Sequence, residues 1–431
     1  MKRTAIAIIS VVSLFPGAYA EEWSYADCVE YARSHNITLQ KAVLAEKTAD
    51  YDLQAAKGEW LPSLDFSTSH SYTNTPMGEQ QKNSYMGNLG LNAAWTVWDG
   101  GVRSNTIKRD RLSLRSSQIA TTGYMRSVET DLLQVYLNIL YAREAIQVCT
   151  DNADLSKAQA ERGKALMESG RISKVDYAQL NSQYEQDLYN LTAAEATYNT
   201  RRMELKQLLE LGMDSSFDIE PVTITEDMVM APLPPMAESY DLARDLDTDL
   251  ESLGLEKEAS ELDVKIAQAG RMPKIALNAG VGTSYYAPGA SLGQSLKQTL
   301  NEQIGLTLSI PILDRNKTRT DVAKAKTKEL DAQLDIDKRL VTLAQSVENW
   351  YIETGSAQSK FNAAKKQLEA AELTDSLTNE RFQLGYVDPV ELMESHTTLS
   401  ECRHALLQAK YMALLGRKMI EFYRTAHVSL N

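Results

Sequence analysis

Proline is missing from two long reaches of this sequence. None lies between Pro76 and Pro221, and none between Pro311 and Pro389. A proline inside a helix removes a hydrogen bond and clashes with the preceding turn, so both reaches are free to stay helical. Cysteine is scarce. Cys28, Cys149 and Cys402 are an odd count without metal-like spacing, all in helical patterns, which points to small core residues. The five histidines (His35, His70, His396, His404 and His427) are scattered; His396 and His404 lie eight apart on one helix with no third ligand in view. No metal site and no cofactor is expected. There is no glycine-rich phosphate loop, so any energy for transport comes from elsewhere. After residue 20 no run of about 18 apolar residues occurs, which excludes a transmembrane helix but leaves a β-barrel open. Positive charge is also short: Lys and Arg number 45 against 58 Asp and Glu, for a net charge of −13. Nucleic acid is therefore not an expected partner, since phosphates demand an excess of basic side chains. Two readings of the acidity stand: a solvated helical surface, or an acidic interior that favours cations.

What is present begins with an export signature. Met1-Lys2-Arg3, an apolar run from Ala5 to Phe15 and Ala18-Tyr19-Ala20 read as a signal peptide over 1–20. Short helices are expected over Ser24 to Ser34, with Ser24 and Asp27 as a capping box, and from about Leu39 to Lys57. A strand with Leu64, Phe66 and Tyr72 on one face comes after Pro62. Next is a polar loop, Thr73 to Ser84, then a second strand in which Tyr85, Leu89, Leu91, Ala93, Trp95 and Val97 alternate with Met86, Asn88, Gly90, Asn92 and Ala94. Asp99-Gly100-Gly101 ends that strand and caps a long helix. From Val102 to Met167, Val128, Leu132, Val135, Ile139, Ala142, Ile146, Cys149, Ala153, Ser156 and Ala160 recur at alternating fours and threes. This heptad stripe predicts a packed helix roughly 100 Å long. A turn at Ser169-Gly170-Arg171 leads to a return helix from Val175 to about Leu211.

The chain then repeats itself. Ala32-Arg33 returns as Ala243-Arg244, Trp98-Asp99 as Leu313-Asp314 and Gly170 as Gly385. The spacing is 211 residues before the first loop (32 to 243) and 215 after it (170 to 385), so the second loop, Ala287 to Lys297, is longer by four. Internal duplication of this kind decides the fold. The expected plan is 21–62 helices, 63–98 first hairpin, 99–211 long and return helices and 212–236 linker. It continues with 237–273 helices, 274–313 second hairpin, 314–422 long and return helices and 423–431 tail.

Each half offers one hairpin with a single apolar face. Four strands cannot close a barrel, for which about eight is the minimum, and an open sheet leaves exposed edges. One reading is a soluble sandwich. The other is a membrane barrel pooled from several chains, with Leu64, Phe66, Leu89, Leu91, Trp95, Leu277, Val281, Leu306, Leu308 and Ile310 facing lipid and aromatics near the strand ends.

The duplication, the Trp98-Asp99-Gly100-Gly101 strand end, and the paired motifs Gly170-x5-Asp176 and Gly385-x5-Glu391 together resemble the TolC-type outer-membrane efflux proteins. The resemblance implies an α+β membrane protein that is no enzyme. It implies a homotrimer with a twelve-stranded barrel, four strands per chain, continuous with a long periplasmic α-helical barrel. It also implies an equatorial belt and an outer-membrane location. The partners it implies are a periplasmic adaptor and an inner-membrane pump of RND or ABC type, as in tripartite efflux or type I secretion. The tips Gly170, Arg171, Leu384, Gly385 and Tyr386 would meet the adaptor, and Glu391, Glu394 and Asp176 would form the periplasmic gate. In the family an acidic residue at the place of Asp176 accepts hydrogen bonds from a tyrosine and an arginine on the other hairpin. Here those positions are Phe382 and Val387, which cannot donate, so such a latch is absent or rebuilt with Arg171, Lys174 or Arg381.

Two other classes compete. A non-porous periplasmic coiled-coil scaffold or adaptor would use the same helices. A cell-envelope hydrolase would use Glu391 and Glu394, but three-residue helical spacing sets those carboxylates side by side, a poor arrangement for flanking a scissile bond.

Overall fold

The structure, a computed structural model, describes residues 21–77, 83–212, 217–287 and 292–430. The expected signal peptide lies outside them. In chain order the elements are β1 (Glu21–Trp23), α1 (Tyr25–His35), α2 (Ile37–Gly58), β2 (Ser63–Asn74), β3 (Asn83–Trp98), α3 (Val102–Glu168) and α4 (Lys174–Leu208). Then come β4 (Phe217–Ile219), α5 (Glu226–Met230), α6 (Met236–Leu246), α7 (Thr248–Gln268), β5 (Lys274–Ala287), α8 (Leu292–Gln298), β6 (Asn301–Ser309), α9 (Lys317–Leu384) and α10 (Pro389–Thr425). They divide into two compact units, each drawing on both repeats.

One unit, residues 38–124 and 244–345, contains a four-stranded antiparallel sheet in the order β2-β3-β5-β6. The two hairpins join through their inner strands, with Leu91 opposite Val281 and Trp95 opposite Leu277. Registers in the outer pairs, Phe66 to Leu91 and Leu277 to Leu306, keep the same parity. The period of two then places Leu64, Phe66, Leu89, Leu91, Trp95, Leu277, Val281, Leu306 and Leu308 on one face. On the opposite face the amide of Asn92 donates to Ser67 Oγ at 3.4 Å, that of Asn88 to Ser69 Oγ at 3.3 Å, and that of Asn278 to Thr307 Oγ1 at 3.5 Å. A register shift between Thr96 and Trp98 sets Trp98 opposite Ile275, on the apolar side, where simple alternation would have turned it away. Trp95 donates its indole N–H to the carbonyl of Trp60 at 2.9 Å, and the guanidinium of Arg103 lies 4.5 Å from the Trp60 ring. These contacts pin the strand ends to the helices beside them. The outer strands β2 and β6 are exposed at every residue, and each has one unpaired edge.

Both long helices start in the same way. Asp99 accepts from the amides of Gly101 and Arg103, each at 3.0 Å, and from Arg103 Nε at 2.9 Å. Desolvation pushes its carboxyl up, but the donors outweigh it and hold the group below its ordinary range. Asp314 stands at the equivalent place, accepts from the Thr318 amide at 2.8 Å, and is likewise held down, chiefly by Thr318. The turns differ in one respect. Gly100 and Gly101 have φ of +74° and +91°, and a Cβ on Gly100 would fall 2.5 Å from that of Met272. Their counterparts are Arg315 and Asn316, at +56° and +64°. The second repeat therefore holds two side-chain-bearing residues in a region that favours glycine.

The other unit comprises residues 21–37, 125–243 and 346–430 of the described chain. Its core gathers Leu132, Leu133, Tyr136 and Ile139 of α3, Leu205 of α4, Phe361 of α9 and Leu414 of α10. Eight of the ten heptad positions in α3 are buried; Val135 and Ile146 are half-buried. All three cysteines are buried and free. Ser24 caps α1 with Asp27 in a reciprocal capping box. β1 pairs in parallel with β4, and the hydroxyl of Tyr136 reaches the carbonyls of Trp23 (3.2 Å) and Glu220 (3.0 Å) at that junction.

Four expectations are corrected. The second hairpin stops short of the expected 274–313: β6 ends at Ser309, so Ile310 lies outside the strand, and Pro311 has no N–H to extend a ladder. The loop from Ala287 to Lys297 contains α8. The 212–236 linker carries β4 and α5. The tail begins later than 423, because α10 runs to Thr425 and ends on Ala426 in a left-handed cap.

The helix starts make two outcomes testable. Replacing Arg315 by glycine raises stability by about 1 kcal/mol, and Asn316→Gly gains less because asparagine tolerates this conformation; shifts in denaturation midpoint measure both. Since Asp99 and Asp314 are held down in the fold, their stabilisation is present above the ordinary carboxylate range near pH ~4 and is lost as pH falls through the lowered values. Asp99→Asn reduces that acid sensitivity in a pH-dependent unfolding series.

Candidate functional site

The two helix turns are built alike. At the first, the Arg171 amide donates to the Leu166 carbonyl at 2.9 Å and the Gly170 amide to Met167 at 3.0 Å. At the second, Tyr386 donates to Arg381 at 2.9 Å and Gly385 to Phe382 at 3.0 Å. This is a Schellman ending, and it needs a left-handed residue. Gly170 (φ +73°) and Gly385 (φ +81°) supply it, and nothing lies within 4 Å of a Cβ built on either. Arg171 is exposed beside the first; Leu384 (67 %) and Tyr386 (74 %) are among the most exposed large apolar side chains of the unit.

Three residues on, each chain direction is reset by an N-cap. Ser173 Oγ accepts from the Asp176 amide at 3.1 Å, and the Asp176 carboxylate accepts from the Ser173 amide at 2.9 Å. Asp388 accepts from the Glu391 amide at 2.9 Å, with Pro389 opening α10. The acidic residue six positions after each glycine is thus the third residue of a capped helix, where a carboxylate is favoured by the free amides. Asp176 is engaged in its own cap. Glu391 instead receives a bond from Arg381 Nη1 at 3.1 Å, with both partners about half exposed.

Glu391 and Glu394 border one groove of about 400 Å³ between α9 and α10, shared with Gln367, Thr374, Thr378 and Thr398. Asp176 does not line it. Next to the turns, the contact between the first hairpin and the second is apolar: Leu180, Phe382 and Leu392 are buried together, with Leu166, Ile172, Val387 and Met393 packed around them. Phe382 and Val387, which lack a donor for any polar latch, are members of this cluster. Gly163 allows the approach, since a Cβ there would fall 2.5 Å from Leu180 Cδ1. The sequence marks Leu180 only as part of an apolar stripe and gives no sign of Leu392 or Ile172. The signal available is the apolar identity of positions 382 and 387 on either side of Gly385. Of the remaining named positions, Leu64, Phe66, Leu91, Trp95, Val281, Leu306, Leu308 and Ile310 are exposed, and Leu89 and Leu277 are half-buried. Among the described residues, no group of three or more His, Cys, Asp or Glu is placed to hold a metal ion, and no helix is long and apolar enough to cross a membrane.

A family model described as outer membrane efflux protein matches residues 29–210 and 239–416. Nodulation protein T of Rhizobium leguminosarum bv. trifolii is 21% identical over 394 residues, covering 88% of this chain and 81% of that protein. Outer membrane protein TolC of Escherichia coli (strain K12) is 20% identical over 408 residues, covering 91% and 80%. Among solved structures, CusC superposes with a TM-score of 0.83 at 16% identity, over 97% of this chain and 96% of that one. At that identity the likeness speaks for the fold.

Two substitutions separate cap from cluster. Ser173→Ala costs about 1 kcal/mol, as the loss of an N-cap does. Phe382→Ala costs about 3–5 kcal/mol and raises hydrogen exchange at both turns, whereas Asp176→Ala leaves exchange around Gly385 unchanged.

Proposed function

Because this chain belongs to the outer membrane efflux protein family, we propose that it is the passive outer-membrane duct of an export machine. It acts as a homotrimer and receives cargo through a periplasmic adaptor from an inner-membrane pump. The observation that carries this reading is the sheet: one face apolar across all four strands, the other polar, and two edges unpaired. In lipid each unsatisfied backbone group costs several kcal/mol. Alternate residues of two edge strands add up to roughly tens of kcal/mol, more than a folded chain's whole stability. Pairing β2 of one copy with β6 of the next removes both edges, and three copies give twelve strands. The apolar face, from Leu64 and Phe66 to Leu306 and Leu308, then meets outer-membrane lipid, and the serine, asparagine and threonine face lines a wet lumen.

At the helix turns, Gly170, Arg171, Leu384, Gly385 and Tyr386 form the adaptor-facing tips. Exposed Tyr386 and Leu384 suit an interface anchor. Glu391 and Glu394, each present three times, form rings that favour cations at the periplasmic gate. Asp176 serves the gate indirectly, by holding the start of α4. The apolar cluster takes the place of a hydrogen-bonded latch.

Purified protein reconstituted in planar bilayers shows discrete channel conductance; a scaffold gives none. Glu391→Ala/Glu394→Ala lowers the cation-over-anion permeability ratio severalfold without abolishing conductance. An unchanged ratio would remove these two residues from the gate.

A further inference from the structure

The two hairpins share one register. Ser63 lies opposite Ala94 in the first, and their equivalents Lys274 and Ser309 lie opposite each other in the second. Equivalent residues are 211 apart on the first strands, as Leu64 and Ile275 are, and 215 apart on the second strands, as Trp98 and Leu313 are. At one place the repeats differ. β3 runs on past the start of β2, and there Trp95, Thr96 and Trp98 pair with Leu277, Ala276 and Ile275 of β5 alone. Their equivalents, Ile310, Pro311 and Leu313, belong to no strand. Ile310, Ile312 and Leu313 are 56 %, 96 % and 90 % exposed. Yet Ile310 and Ile312 carry on the alternation of Ile304, Leu306 and Leu308. What holds Trp95–Trp98 extended is the first strand of the other repeat. Among the described residues no strand lies on the free side of β6 to do the same for 310–313.

We propose that residues 310–313 are part of a joint between copies: they extend β6 against β2 of a second copy, in the register that β3 makes with β5. The joint rests on the trimeric reading given above and specifies the strand register, which that reading leaves open. The seam between repeats inside one chain then recurs between chains. Carried across by the same spacings, the β3–β5 pairs set Leu313 opposite the partner's Leu64, Ile310 opposite the partner's Phe66, Leu308 opposite the partner's Thr68 and Thr307 opposite the partner's Ser69.

The rival register sets the strand ends flush, with Ser309 against the partner's Ser63. Two observations count against it. It leaves the backbone of 310–313 unpaired beside an apolar face, where open amides and carbonyls are costly. It also sets Glu302 opposite the partner's His70, well inside β2. Glu302 pairs with Val281 and is the one charged residue among the described paired positions of the apolar face. The repeat register moves Glu302 to the partner's Asn74, at the end of β2. Pro311 is compatible with it. Its counterpart Thr96 stands directly before the register shift, where the ladder is already irregular.

The test is disulfide formation between copies of the full-length protein in detergent, on the polar face of the sheet. Thr307→Cys is combined in turn with Asp65→Cys, which marks the flush register, and with Ser67→Cys, Ser69→Cys and Ser71→Cys. Directly opposite residues have Cα atoms about 4.5–5.5 Å apart, whereas a step of two along the strand gives about 7–8 Å, outside disulfide range. The native cysteines are buried, and each single variant serves as a blank. Ser69→Cys is expected to give covalently linked copies on a denaturing gel, lost on reduction, severalfold above the other three. Hydrogen exchange needs no substitution: in the assembled protein the 310–313 segment is expected to exchange about tenfold or more slowly than an unstructured peptide. Linkage through Asp65, Ser67 or Ser71 in place of Ser69, no linkage at all in a protein that sediments as a trimer, or exchange of 310–313 at the unstructured rate overturns the joint and leaves the trimer standing. A protein that sediments as a monomer in detergent overturns both.

Discussion

The backbone hydrogen bonds left open at the two edges of the sheet govern everything else in this chain. Side chains can choose lipid or water, but an amide in hydrocarbon has no such choice. A four-stranded sheet with one apolar face is an incomplete object, and among the described residues no further strand pairs with either outer edge. In the trimer proposed above, copies of the chain supply the matching edges. The registers support this arrangement. Parity is kept through all three strand pairs up to the bulge before Trp98, so the two faces that the proposed trimer requires are already set within one chain.

Duplication supplies the sheet by joining two hairpins, yet the repeats are not equal. The first turns from strand to helix on two glycines, the second on Arg315 and Asn316. The first closes its turn with a reciprocal serine–aspartate cap. The second uses Asp388 and Pro389, which frees Glu391 to meet Arg381. The acidic residue six positions past each glycine is thus one piece of helix chemistry put to two uses. In the second repeat it borders a groove.

Much of this architecture is legible in the sequence. Alternation in Leu89–Val97 and in Ile304–Leu308 gives strands because a pleat has period two. The unbroken reach from Val102 gives a helix because nothing in it stops one. Asp99 and Ser24 announce helix starts through the donors they can satisfy. Other features are not legible, for reasons that are equally physical. Three-residue strands such as β1 and β4 carry no periodicity. The bulge before Trp98 depends on the partner strand. The meeting of Leu180, Phe382 and Leu392 is a tertiary event, and so is the burial of His396 beside Asp187. Sequence shows that positions 382 and 387 cannot donate a hydrogen bond; only packing shows what they do instead.

The strand pairings also dictate an order of assembly. Glu21–Trp23 waits for Phe217–Ile219, and Tyr85–Trp98, already paired with Ser63–Asn74, waits for Ile275–Ala287 on its other side. Contacts so distant in sequence form slowly, since a long loop must close first. Until the second half is in place, the first hairpin lacks its mate and shows both flanks. Truncations that stop before residue 275 should therefore aggregate, because the half-made sheet has no stable resting form.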